Sequence, residues 1–392
     1  MLTKTTFKPA WWLSNSHLQT IYPALLRKAP DPPEYRRERL TTPDHDFIDV
    51  DYCGAGKQPL IILIHGLTGS SQSGYIKGLQ SALLKHGFRS AALNFRGCSG
   101  SSNNRARSYH SGETEDIHFL YQTLRLREPD TPLGAVGFSL GGNVLLKWLG
   151  EQGDQVKLFA AVAVSVPLVL GICATKLDKG FSKLYRGKLL NELKAYMHVK
   201  LQHLERTGQS VEAMKIRELG DLSFIRSFWQ YDDQVVAKLH GFNDVHDYYR
   251  RSSSRQYLKS IEVPTLLIQA VDDPFMTKEV LPRQDELSPH VQLEFTRHGG
   301  HVGFITGSIP FKPQYWLEQR ILEFLMGYTA AGVIPASSEE PKKKMTTDFS
   351  AANHRFRKII YAAYLHTHMH FFTPQTLSFK SRLLYGRFTN HN

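Results

Sequence analysis

The sequence predicts an α/β fold, a mostly parallel central sheet flanked by helices with a helical insertion, and three observations predict it. In residues 133–144 a short apolar run ends in Gly137-Phe138-Ser139-Leu140-Gly141. A helical pattern (Leu140, Val144, Leu145, Trp148) starts at once, so Ser139 stands on a tight strand-to-helix turn. Further short apolar runs at 60–64, 158–164 and 264–270 have the character of strands buried on both faces. Between the last two runs, roughly residues 171–260 read as helical and rich in basic and aromatic residues. A connection of that length inside one domain needs structure of its own.

Composition agrees with such a domain. The chain has 392 residues, 41% hydrophobic and 21% charged, enough for one large α/β domain with an insertion. Cys53, Cys98 and Cys173 lie far apart and form no C-x-x-C pair, which argues against a disulfide framework or structural zinc and fits a reducing cytoplasm. The N-terminal stretch lacks the basic-then-apolar order of a secretory signal. The longest apolar run, 158–173, is broken by Pro167 and is shorter than the ~20 residues of a membrane-spanning helix, so no such helix is expected. The net charge is +12, but from Lys342 onward nine basic residues face only Asp348. Most of the basic character therefore belongs to the tail, and the core is not expected to bind nucleic acid.

Taken in order, residues 1–34 form an aromatic arm, with Trp11 and Trp12 expected to pack on the body. Residues 35–40 and 47–52 alternate as two antiparallel strands around a turn at 41–46. The strand at 60–64 runs into His65-Gly66-Leu67-Thr68-Gly69, where His65 is read as a loop brace. A helix around 75–86 and a strand at 89–94 lead to Arg96-Gly97-Cys98-Ser99-Gly100. That loop lacks the Lys-[Ser/Thr] ending of a phosphate cradle and the spacing of a dinucleotide fingerprint, so Arg96 is also read as a brace. A helix at 112–126 precedes the strand that delivers Ser139. The core is then 35–170 with 261–328, and 171–260 is a helical lid over the strand ends or, alternatively, a set of helices at the side. Strands at 264–270 and 291–295 and a helix at 313–327 close the domain.

Residues able to do chemistry fall at the ends of those strands. Ser139 between two glycines has the form of a nucleophile elbow, where Cβ atoms at Gly137 and Gly141 would collide across the turn. Leaving the strand at 264–270, expected beside that of the nucleophile, are Asp272 and Asp273; Asp273 is preferred because the turn brings the second aspartate round to a histidine. After 291–295 come His298 and His301, of which His301 is preferred because Gly299-Gly300 lets the loop curl back. The order Ser139, Asp273, His301 is that of α/β-hydrolases rather than of other serine-hydrolase folds. A serine hydroxyl needs such a base to become a nucleophile, and a tetrahedral oxyanion needs donors. The backbone N–H groups of Leu67 and Leu140 are the candidates.

Several motifs together carry a resemblance: Phe7-x-Pro9 with Trp11-Trp12-Leu13-x-Asn15-x-His17-Leu18-Gln19-Thr20, His65-Gly66-Leu67-Thr68-Gly69, Asn94-x-Arg96-Gly97-Cys98, the elbow through Asn143, Asp272-Asp273-Pro274-Phe275, and Gly299-Gly300-His301-Val302-Gly303-Phe304. Over about residues 7–328 the chain resembles the YheT branch of the α/β-hydrolases, with plant embryogenesis-associated proteins, yeast medium-chain ethyl ester synthase/esterases and animal abhydrolase-domain lipid enzymes. The resemblance implies a carboxylic ester hydrolase, or an acyltransferase sharing its acyl-enzyme, acting on small-molecule esters of short- to medium-chain acyl groups without metal or organic cofactor. A non-catalytic binding protein on the same fold is the alternative from another class. One departure is His45, at a turn that often takes glycine. Residues 329–392 lie outside the resemblance and read as a linker and a basic, poorly ordered tail. Its histidines His366, His368 and His370 suggest a metal site only weakly; contact with an anionic membrane through the tail or the lid is the other expectation.

Overall fold

The computed structural model describes residues 2–27 and 35–329, so the tail, with His366, His368 and His370, lies outside the described residues. Nine strands form the main sheet: β1 (Leu2–Thr3), β2 (Arg36–Thr41), β3 (Phe47–Cys53), β4 (Leu60–Ile64), β5 (Arg89–Asn94), β6 (Leu133–Phe138), β7 (Ala161–Val164), β8 (Thr265–Ala270) and β9 (Val291–Thr296). Their spatial order is β1-β9-β8-β7-β6-β4-β5-β3-β2. Neighbours from β1 across to β5 are parallel, and β3 and β2 add an antiparallel edge. Because β7 lies between β6 and β8, the aspartates leave a strand one removed from that of Ser139, not the adjacent one.

The apolar runs serve two faces at once. Along β4, Leu60, Ile62 and Ile64 pack into one core with α3 (Glu115–Arg127) and α4 (Leu140–Gln152). Ile61 and Leu63 point into a second core with α2 (Gly74–Lys85) and the helix Trp316–Tyr328. This alternation is why the run carries no polar residue. Element ends differ from expectation by a few residues: β7 begins at Ala161, since 158–160 run as irregular chain into it.

The segment between β7 and β8 forms a third apolar cluster of its own, built on the helices Leu170–Leu177, Ser182–Arg206 and Ser210–Arg217 and on Val235, Tyr248 and Tyr249. Its longest helix, Ser182–Arg206, reaches the loops that follow three strands. Ser182 Oγ donates to Pro274 O after β8, and Thr68 Oγ1 after β4 donates to Glu192. Tyr196 Oη donates to Arg96 O and Lys200 Nζ to Arg107 O, both after β5. On this helix Ser182, Glu192, Tyr196 and Lys200 are spaced by ten, four and four residues, which puts them on one side of it.

In the arm, the helix α1 (Ser16–Leu26) is capped by Asn15, whose side chain accepts from the His17 and Leu18 N–H groups. Phe7, Leu13, Gln19 and Tyr22 are buried, whereas Trp11 is 69% exposed and touches the body through its indole N–H on Ser308 O. Trp12 is half-buried and packs against Phe311 at 5.7 Å with its indole N–H on Gly307 O, so the expectation holds for Trp12 and fails for Trp11. Among the described residues no helix is long and apolar enough to cross a membrane.

Candidate active site

Ser139 sits at φ 52° and ψ −120°, a conformation that costs a non-glycine residue ~1–3 kcal/mol and holds its side chain clear of both strand and helix. A Cβ on Gly137 would lie 2.5 Å from Gly141 O, so that glycine does permit the turn. Gly141 has a different reason: its Cβ would meet Ile64 O and His65 O at 2.5 and 2.4 Å. It lets the start of α4 press against the end of β4, which brings the following loop to the nucleophile. Behind the elbow, the buried Asn143 amide donates to Ser111 O and Ser252 O and accepts from the Ser254 N–H.

The structure brings Ser139, His301 and Asp273 together. His301 Nε2 is 2.9 Å from Ser139 Oγ, and His301 Nδ1 is 2.8 Å from Asp273 Oδ2. Asp273 also accepts from the Phe275 N–H at 2.8 Å and is buried. A carboxylate on Nδ1 selects the tautomer with the proton there, leaving Nε2 as the acceptor for the serine proton. The other aspartate and histidine pair separately: Asp272 accepts from Gly300 N–H at 3.1 Å and lies 3.3 Å from His298 Nδ1. Burial pushes the Asp272 carboxyl above its ordinary range. Its place is to hold the glycine turn.

Several parts of this support come from residues that the sequence did not single out for the site. His301 N–H donates to Thr20 Oγ1, and Val302 N–H donates to Ser165 Oγ. Gln19 accepts from Ile305 N–H and donates to Leu13 O and Ile305 O. Cβ atoms at Gly300 and Gly303 would strike Ser16 O and Gln19 O at 2.5 and 2.2 Å, so these glycines let the arm helix lie on the histidine loop. Phe275 stacks on the His301 ring at 4.0 Å and 4°. The two proposed oxyanion donors are also available, since neither the Leu67 nor the Leu140 N–H donates to a carbonyl among the described residues.

The braces lie where expected. Arg96 is buried and binds Asp44 and Asp116, fixing the loop after β5. His45 occupies its turn at φ 61°, the left-handed conformation that the hairpin requires. His65 Nδ1 donates to Gly66 O, and Nε2 accepts from Phe95 N–H. Complete burial lowers its pKa to about 4, so it stays neutral in this role. Because the unfolded chain binds the proton near pH 6.5, this contribution is complete above that pH and is lost as the pH falls toward 4. Urea unfolding should show the wild type losing about 3 kcal/mol more over that window than a His65→Asn variant, because the loss from His110 and His240, whose pKa values burial also lowers, is common to both.

Elsewhere among the described residues, His110, Glu113 and His240 offer ligand atoms within 4.8 Å of one another. Glu113 is already engaged by Arg107 at 2.7 Å and by the Glu115 N–H. Arg107, Lys147, Arg251 and Lys200 bear on the two histidines, an environment that repels a divalent cation.

Comparison with known proteins agrees with this architecture. The model of the alpha/beta hydrolase fold family matches residues 59–308, and the chain belongs to that family. It is 41% identical to YheT of Escherichia coli K12, provisionally named an esterase, over 83% of this chain and 94% of that one. It is 30% identical to mouse phospholipase ABHD3 (79% of this chain, 76% of the relative) and 29% identical to mouse monoacylglycerol lipase ABHD2 (83% and 80%). Within the family the chain is therefore of the YheT-like branch, a hydrolase of the esterase and lipase type.

Proposed function

We propose that the chain hydrolyses carboxylic esters of short- to medium-chain acyl groups through an acyl-enzyme on Ser139. His301 takes the serine proton and returns it to the leaving alcohol, then activates the water that releases the acid. Asp273 orients the imidazole and stabilises its charged form. The Leu67 and Leu140 amides bind the tetrahedral oxyanion, each worth roughly 3 kcal/mol of barrier. The observation that carries this reading is the unbroken relay from Ser139 Oγ through His301 to Asp273, at 2.9 and 2.8 Å.

In this reading the helices between β7 and β8 are the lid and form the wall of the acyl site. Leu67 and Phe275, which flank the serine and the histidine, both lean on the apolar cluster of that segment. The names of the mouse relatives, a phospholipase and a monoacylglycerol lipase, support an acylated lipid as substrate. Cytoplasmic residence belongs to the same proposal, supported by three free thiols at Cys53, Cys98 and Cys173. The test is hydrolysis of p-nitrophenyl esters from acetate to palmitate, with mass spectrometry of protein quenched during turnover. A maximum of kcat/KM at or below about ten carbons, together with an acyl adduct on the Ser139 peptide, is expected. Rates that rise steadily to palmitate would remove the chain-length assignment, and an adduct elsewhere would remove the nucleophile.

A further inference from the structure

The loop after β4 offers three consecutive amides to the site, and the two outer ones are already occupied. Gly66 N–H donates to the Tyr75 hydroxyl at 2.9 Å, and Thr68 N–H donates to the Tyr109 hydroxyl at 3.0 Å. The two tyrosines come from different places: Tyr75 lies in the first turn of α2, and Tyr109 lies in the long loop between β5 and α3. Each ring is seated independently, Tyr75 against Phe138 at 4.9 Å and Tyr109 stacked on Phe95 at 5.0 Å and 8°. Burial raises both phenols above their ordinary range, so the oxygens remain neutral hydroxyls and introduce no charge beside the site.

Between these anchored amides stands Leu67. Its N–H donates to no carbonyl among the described residues. The loop lies directly on the nucleophile, since a Cβ on Gly66 would be 3.2 Å from Ser139 Cβ. Thr68 adopts φ 55°, a turn that an unrestrained threonine avoids. The peptide unit that carries the Leu67 N–H is held at its other end, where Gly66 O accepts from His65 Nδ1 at 2.7 Å and from the Gly69 N–H at 3.0 Å, and the tyrosines fix the units before and after it.

We infer that Tyr75 and Tyr109 are positioning residues that clamp the peptide units before and after the one carrying the Leu67 N–H and, together with the bonds on Gly66 O, leave that N–H alone of the three aimed at the oxyanion. The inference rests on the proposed serine mechanism and adds to it the groups that select one donor. A preorganised donor contributes most to the transition state and little to ground-state binding, so loss of a clamp is expected in kcat rather than in KM.

The experiment compares wild type, Tyr75→Phe and Tyr109→Phe, each losing one oxygen and keeping its ring. The readouts are kcat per active site titrated by the p-nitrophenol burst, KM, and the inhibition constant of a trifluoromethyl ketone, whose hemiketal adduct carries the oxyanion. Each variant is expected to lose about ten- to hundredfold in kcat and a matching factor in inhibitor affinity, with KM within about twofold. Unchanged kcat per titrated site and unchanged inhibitor affinity in both variants would overturn the clamp, even if their melting temperatures fell. Should one variant not fold, the other still decides, because each hydroxyl holds a different amide. A Ser139→Ala control separates the two levels: if it retained activity the serine mechanism would fail, whereas an inactive control beside unaffected tyrosine variants refutes the clamp alone.

Discussion

Replacing Ser139 by alanine is expected to lower kcat/KM for the best p-nitrophenyl ester by about 10⁴ to 10⁶, while the melting temperature stays within a few degrees of wild type. The size follows from the relay. Without Oγ there is no nucleophile to form the acyl-enzyme, and His301 Nε2, 2.9 Å away, has only water to activate. What remains is catalysis by the oxyanion donors and by substrate positioning. The small thermal effect follows from the backbone: alanine at φ 52° bears the same strain as serine, and its Cβ keeps the contact toward Gly66. Absorbance assays at high enzyme concentration and a circular-dichroism melt read both quantities. A variant that kept more than about one-hundredth of the activity would show that the reaction does not pass through this serine.

The outline of that site was legible because its parts rest on local signals. Continuous apolar runs marked β4, β6 and β8, and the chemistry-bearing residues follow directly at their C-terminal ends. Chain order then separated this arrangement from other serine hydrolases. What stayed hidden depends on contacts between distant residues with no periodicity of their own. Strand β1, only two residues long, exists through pairing with β9 almost 300 positions later. Thr20 and Gln19 hold the histidine loop from the opposite end of the chain. Polar residues in a short aromatic arm give no reason to expect that task.

The role of Gly141 shows the same limit at closer range. The motif required a glycine there and suggested a clash across the turn. The space it leaves is filled by the carbonyls of Ile64 and His65, a constraint from a neighbouring strand that no local reading contains. Phe275 was visible only as part of a motif, and its stacking on His301 is a product of the loop geometry.

Sequence could only prefer Asp273 over Asp272, and the geometry turns that preference into a second large effect. Asp273→Asn is expected to reduce kcat by about 10⁴, and Asp272→Asn by about tenfold or less. In Asp273→Asn, the side-chain carbonyl is retained by Phe275 N–H, which turns the new amide NH₂ toward His301 Nδ1. Two donors would then face each other unless the imidazole moved its proton to Nε2, and in that tautomer it accepts nothing from Ser139. In Asp272→Asn the carbonyl oxygen still accepts from Gly300 N–H, and only the 3.3 Å contact to His298, a half-exposed histidine, is weakened. Steady-state rates of the two variants, beside proton NMR of the His301 Nδ1–H, decide the matter. A large loss in Asp272→Asn with a near-normal Asp273→Asn would mean that the aspartates exchange roles during turnover, and the relay drawn from Ser139 to Asp273 would have to be abandoned.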